Sequence, residues 1–116
     1  MSNDWFIDIP GASGKSYRYF KVDNPRNAAA LQPVAGNYAF LKKQPNGSFE
    51  ALYIGQADNV QNRLPNHERW NDALKAGVTL VVAHSTQGGE AARLSEERDL
   101  IAKWNPPLNV HHRTTG

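Results

Sequence analysis

Apolar and polar positions alternate in two short runs near the start of the chain, Trp5-Phe6-Ile7-Asp8-Ile9 and Tyr17-Arg18-Tyr19-Phe20-Lys21-Val22. Both read as strands, with Pro10-Gly11-Ala12-Ser13-Gly14 as the turn between them. Residues 23–36 form a connector punctuated by Pro25 and Pro33, with room for a short helix over 26–32. Two further strand-like runs, Tyr38–Lys43 and Phe49–Gly55, flank Pro45-Asn46-Gly47-Ser48. Asn-Gly between such runs is the strongest short hairpin signal. With Asn46 and Gly47 as the two turn residues, Tyr38 and Tyr53 share one sheet face as diagonal neighbours, about 7–8 Å apart. Asp58 is placed to cap a helix edged by Val60 and Leu64, which Pro65 interrupts. Asn66 is placed to cap a second helix, with Trp70, Ala73 and Leu74 toward the core and Gly77 closing it. The nearly all-apolar run Val78–His84 predicts a buried strand. Gly88-Gly89 is a break, Glu90 to Trp104 is the longest helical pattern, and Asn105-Pro106-Pro107 stops it. The tail from Val110 reads as mobile.

This order predicts an α/β (α+β) domain: a small antiparallel sheet flanked by helices, β-β-α-α-β-α, with an N-terminal strand pair. At 116 residues and 12.9 kDa the chain makes a single domain, 1–116, able to bury a core without staples. The absence of cysteine excludes a disulfide framework, a thiol nucleophile and any Cys-ligated metal site. No apolar run reaches transmembrane length, and the first residues lack the pattern of a signal peptide, so no membrane association and a cytoplasmic location are expected. Thirteen basic against eleven acidic residues, spread evenly and without a Lys/Arg block, allow nucleic-acid binding but do not announce it. Any phosphate site must be built from a few placed residues.

Projecting the last helix at about 100° per residue puts Glu97 near 300°, inside an apolar stripe made by Leu94, Leu100, Ile101 and Trp104, with Glu96 to one side near 200°. A carboxylate there must be paired, protonated or bound to metal. Pairing with Arg63 or Arg93 for packing alone and a chemical role are both open at this point. Glu90 projects near the stripe too, but a carboxylate at a helix start is already favoured by the dipole. Three features read as bland. Gly11–Ser16 imitates a phosphate-binding loop but has Ile9 where the motif needs its first glycine. His84, His111 and His112 lack metal-ligand spacing. Trp5, Trp70 and Trp104 read as core.

The ordered series Gly36-Asn37-Tyr38, Tyr53-Ile54-Gly55, Arg63, His67, Glu97 and Asn109 resembles the GIY-YIG nuclease superfamily. The similarity is close in residues 53–64 and in residues 97–109. The second block is similar to the corresponding stretch in the N-terminal nuclease domain of bacterial excision-repair endonucleases. The resemblance spans about residues 36–110 as the nuclease core and leaves residues 1–35 as an N-terminal extension. It implies metal-dependent hydrolysis of phosphodiester bonds in DNA, with RNA left open. It makes Glu97 the single protein ligand of Mg²⁺ or Mn²⁺, Tyr38 the general base, and Tyr53 a positioner of water and phosphate. Arg63 would stabilise the phosphate and help lower the Tyr38 pKa. His67 would assist proton transfer or contact phosphate, and Asn109 would fix local backbone. Gly55, Gln56, Arg63 and Lys42 would meet the nucleic acid. The chain departs from the pattern at Asn37, where an apolar residue is usual, at Gln56, where many relatives carry lysine, and in a longer Tyr38-to-Tyr53 spacing. The alternatives are a catalytically weak or inactive nucleic-acid-binding module, and a structural domain that meets a protein partner through its N-terminal strands. A homodimer or a protein partner is the expected source of target choice.

Overall fold

The computed structural model describes residues 5–109; the tail from Val110, with His111 and His112, lies outside the described residues. The strands are β1 (Phe6–Pro10), β2 (Ser16–Lys21), β3 (Gly36–Lys43), β4 (Phe49–Ala57) and β5 (Leu80–Ser85). They form one antiparallel sheet in the order β1-β2-β5-β3-β4. The helices among the described residues are α1 (Val60–Arg63), α2 (Trp70–Ala76) and α3 (Gly89–Trp104), with 3-10 turns at Ala28–Ala30 and Pro107–Asn109. This is an α+β chain. The N-terminal strand pair belongs to the same sheet, because β2 pairs with β5 and the Val22 amide donates to Val81.

Both faces of the sheet are covered, which is why β3 and β5 are apolar at consecutive positions. Alternation along β3 sends Tyr38 and Phe40 to one face, where Val60, Leu64, Trp70 and Ala73 pack on them. It sends Ala39 and Leu41 to the other, which they share with Val82 and with Leu100 of α3.

The β3–β4 hairpin corrects the expected turn. Its loop is closed by the Gln44 amide donating to Ser48, so Pro45, Asn46 and Gly47 all lie in it, with Gly47 at positive φ. The pairing Lys43↔Phe49 then runs one residue off the expected register. A bulge at Leu52 restores it: Leu41 faces Ala51, Phe40 faces Tyr53 and Tyr38 faces Gly55. Leu52 and Tyr53 consequently join the same core cluster although they are consecutive. The bulge therefore puts Tyr53 beside Tyr38.

Other local expectations also shift. Asn59, not Asp58, caps α1 through its side chain, and α2 starts at Trp70 without a side-chain cap, so Asn66 does not serve. Trp70 and Ala73 are buried as expected, whereas Leu74 is 56% exposed. Gly77 does close α2 in the left-handed conformation. Trp5 and Trp104 are partly exposed rather than core: Trp5 packs edge-on against Phe49, and the Trp104 indole donates to the Pro10 carbonyl. The β1–β2 turn keeps its bland reading. Its Ser13 amide and hydroxyl are taken by the Asp99 carboxylate.

Candidate active site

Two glycines set the geometry. A Cβ on Gly36 would strike the His84 carbonyl, so only glycine lets β3 lie this close to β5. A Cβ on Gly55 would lie 2.6 Å from the Tyr38 hydroxyl oxygen and 3.0 Å from Tyr53 Cε2. The bare backbone of Gly55 is the floor on which both phenols rest. Their rings stack with centroids 6.3 Å apart.

His67 completes this cluster from the turn between α1 and α2. It is buried, edge-on to Tyr38 and Tyr53, and its Nε2 lies 2.8 Å from the Tyr38 oxygen. Its Nδ1 accepts the Arg69 amide at 3.0 Å. The neutral ring therefore carries its proton on Nε2 and donates it to Tyr38. Burial, then the nearby Arg63 charge, pushes the His67 pKa down to about 4, so the ring is neutral at physiological pH.

Arg63, the last residue of α1, stands beside the Tyr38 hydroxyl and pulls its pKa down, but burial is the larger effect and the phenol sits above its ordinary range. The lowering expected from Arg63 is present, and burial outweighs it in the free chain. Tyr53 is raised as well, again by burial first. Arg63 is also held by a residue that the sequence reading passed over. Its two terminal nitrogens donate to both oxygens of Glu68 at 2.6 and 3.0 Å. This pairing draws the Glu68 pKa down to about 2. No periodic signal marks it, because residues 64–69 are irregular and a spacing of five is not a helical one.

The carboxylate in the core is Glu96, which corrects the projected stripe. The buried residues of α3 are Arg93, Glu96 and Leu100, so the inward face is centred about 60° from the expected stripe. Glu96 accepts from the Tyr19 hydroxyl and from His84 Nε2, both at 2.5 Å. Glu97 is half-buried at the margin of that face, and burial raises its pKa. It pairs with neither Arg63 nor Arg93: the first holds Glu68 and the second holds Gln56. Its charge does reach the Tyr53 phenol and raises that pKa.

Asn109 ties the C-terminal 3-10 turn to the edge of the sheet. Its amide accepts from the Ile54 N–H and donates to the Ile54 carbonyl, at 3.0 and 2.9 Å. It thus stands in for a neighbouring strand between the tyrosine and glycine of the second motif. Lys42 is not part of the cluster; it lies further along β3 against Gly77, at the end of α2.

Among the described residues there is no group of three or more His, Cys, Asp or Glu side chains able to hold a metal. Glu97, a half-buried carboxylate with no hydrogen bond or ion pair among the described residues, does fit Mg²⁺ or Mn²⁺, which keeps most of its waters and takes few protein ligands. Glu97 is the residue that would hold it.

The chain matches no protein-family model, no curated protein and no solved structure.

Proposed function

We propose that this chain is a GIY-YIG-type endonuclease that hydrolyses phosphodiester bonds in DNA using one divalent metal held by Glu97. The observation that carries the reading is the contact set of Tyr38, Tyr53, His67 and Arg63, with the Glu97 charge acting on it from α3. The four contacting residues come from two strands, α1 and the turn after it, and Glu97 acts on them from the last helix through its charge. The finer β-β-α-α-β-α kinship is part of the same proposal.

In this reading Tyr38 takes the proton of the attacking water. The His67 Nε2–H and the Arg63 guanidinium both favour the phenolate form that does so. Tyr53 orients the water and the phosphate. Arg63 exchanges Glu68 for the phosphate, whose oxygens offer the same paired acceptors, and stabilises the charge that develops there. Mg²⁺ or Mn²⁺ bound at Glu97 would supply Lewis acidity toward a phosphate oxygen and the leaving group. Asn109 positions the backbone of β4 and does not touch substrate.

A second reading, a nucleic-acid-binding module with little activity, is favoured by two observations: burial holds Tyr38 above the ordinary phenol range, and Arg63 is engaged by Glu68. One experiment separates the two. The purified chain is incubated with labelled single-stranded, duplex and branched DNA and with RNA, in Mg²⁺, Mn²⁺ or EDTA. Cutting that needs metal supports the nuclease; binding without cutting in any arm overturns it in favour of the second reading.

A further inference from the structure

Two polar residues of the motifs converge on one residue, Arg93. Asn37 and Gln56 are the two residues at which the motifs depart from the GIY-YIG pattern, and they face each other across β3 and β4. The Asn37 amide donates to the Arg93 carbonyl at 3.0 Å, and Arg93 Nε donates to Gln56 Oε1 at 2.9 Å. Thr86 in turn donates to Asn37 at 2.7 Å, so the arrangement is braced from the loop before α3. Asn37 is fully buried and Arg93 is 8% exposed.

Arg93 is a buried cation with a neutral partner. No carboxylate pairs with it among the described residues, and one of its five N–H donors is taken by Gln56. Its other donors open onto solvent, where an anion can meet them. The guanidinium lines a cleft of about 540 Å³ that Gln56, Asn62 and Arg63 also line, with Asp58 and Glu90 on exposed positions. Arg63 therefore borders both this cleft and the tyrosine cluster.

We propose that this cleft seats a second backbone phosphate of the bound nucleic-acid strand on Arg93, next to the phosphate that Arg63 engages. The proposal rests on the nuclease reading for its ligand. Arg93 supplies here the positive charge that a lysine at position 56 would supply, from the helix instead of the strand. Gln56 and Asn37 are positioning residues: one orients the guanidinium and the other fixes the turn of α3 that carries it. The fork of Arg93 matches the paired oxygens of a phosphodiester.

The test is equilibrium binding of short labelled single-stranded and duplex DNA to the full chain in EDTA, across a salt series. With Arg93→Gln, affinity at low salt is expected to fall about tenfold, and the slope of log K against log salt to shrink by about one phosphate contact. Gln56→Glu keeps the fold testable if that variant fails to fold. It hands Arg93 a carboxylate, so its melting temperature rises while DNA affinity falls. A purely structural Arg93 would give the first change without the second. Wild-type affinity and slope in both variants would overturn the proposal, and metal-dependent cutting by the wild type would then leave the nuclease reading standing. Binding that depends on Arg93 without any metal-dependent cutting upholds the site and overturns the nuclease reading. A wild type that neither binds nor cuts overturns both.

Discussion

Glu96 and Glu97 are neighbours on α3 with opposite surroundings. Glu96 is buried and takes hydrogen bonds from a tyrosine and a histidine on two different strands, β2 and β5. Glu97 is half-buried, pushed up by desolvation, and has no hydrogen-bonding side-chain partner among the described residues. Burial alone would single out Glu96 as the unusual residue. Its two short hydrogen bonds, both to Oε2 and from side chains on two strands, mark it as structural. The same contrast separates the two arginines. Arg63 is half-exposed and paired with a carboxylate, while Arg93 is buried and lacks one. Glu97 and Arg93 meet the proposed substrate without giving up a charged partner, whereas Arg63 reaches phosphate only by releasing Glu68.

The largest effect that would sharpen this comparison is on the structural side. Glu96→Gln leaves Tyr19 and His84 facing an amide in a buried site and should cost about 3 kcal/mol, read by urea unfolding. Cutting per folded molecule should stay at the wild-type level. Gly55→Ala comes next. Its methyl group must displace Tyr38 or Tyr53, so cutting should fall about 100-fold for a stability loss of about 2 kcal/mol. Asn109→Ala removes both bonds to Ile54 and should cost about 2 kcal/mol, with the loss of protection confined to the Ile54 amide and its neighbours in hydrogen exchange.

The smallest effect is in acid. The folded-state pKa of His67 lies near 4, below that of the unfolded chain, so unfolding takes up a proton between these values. Stability from neutral His67 is whole above about pH 6.5 and is lost as pH falls toward 4. His67→Gln should flatten that part of the pH–stability curve, and an unchanged slope would mean that folding does not lower the His67 pKa.

Much of the fold was legible because its signals are local. Asn-Gly marked the hairpin, Gly77 the end of α2, and the apolar run before His84 a strand covered on both faces. The site was legible as a set of residues and, for Tyr38 and Tyr53 on one sheet face, as geometry, though the route to it was not. Placing Tyr53 beside Tyr38 took two departures that compensate, a longer loop and a bulge, and neither has a signature in a single sequence. The helix projection failed at Glu96 because it weighed apolar residues only. The inward face of α3 is half polar, and it is buried because Tyr19, His84, Asn37 and Gln56 wait for it on the sheet. No periodicity reports partners that lie on other elements. The Glu68 pairing was missed because it lies in an irregular stretch at a spacing of five, which no periodicity marks.

The most direct measurement pairs melting temperature with metal-dependent cutting for Glu97→Gln. A carboxylate raised above its ordinary pKa by burial destabilises the fold when ionised, so the amide should leave the melting temperature unchanged or higher at neutral pH. Cutting should fall at least about 1,000-fold. Wild-type cutting in this variant, or a melting temperature lowered as far as that of Glu96→Gln, would show that Glu97 is one more structural carboxylate and would contradict the account.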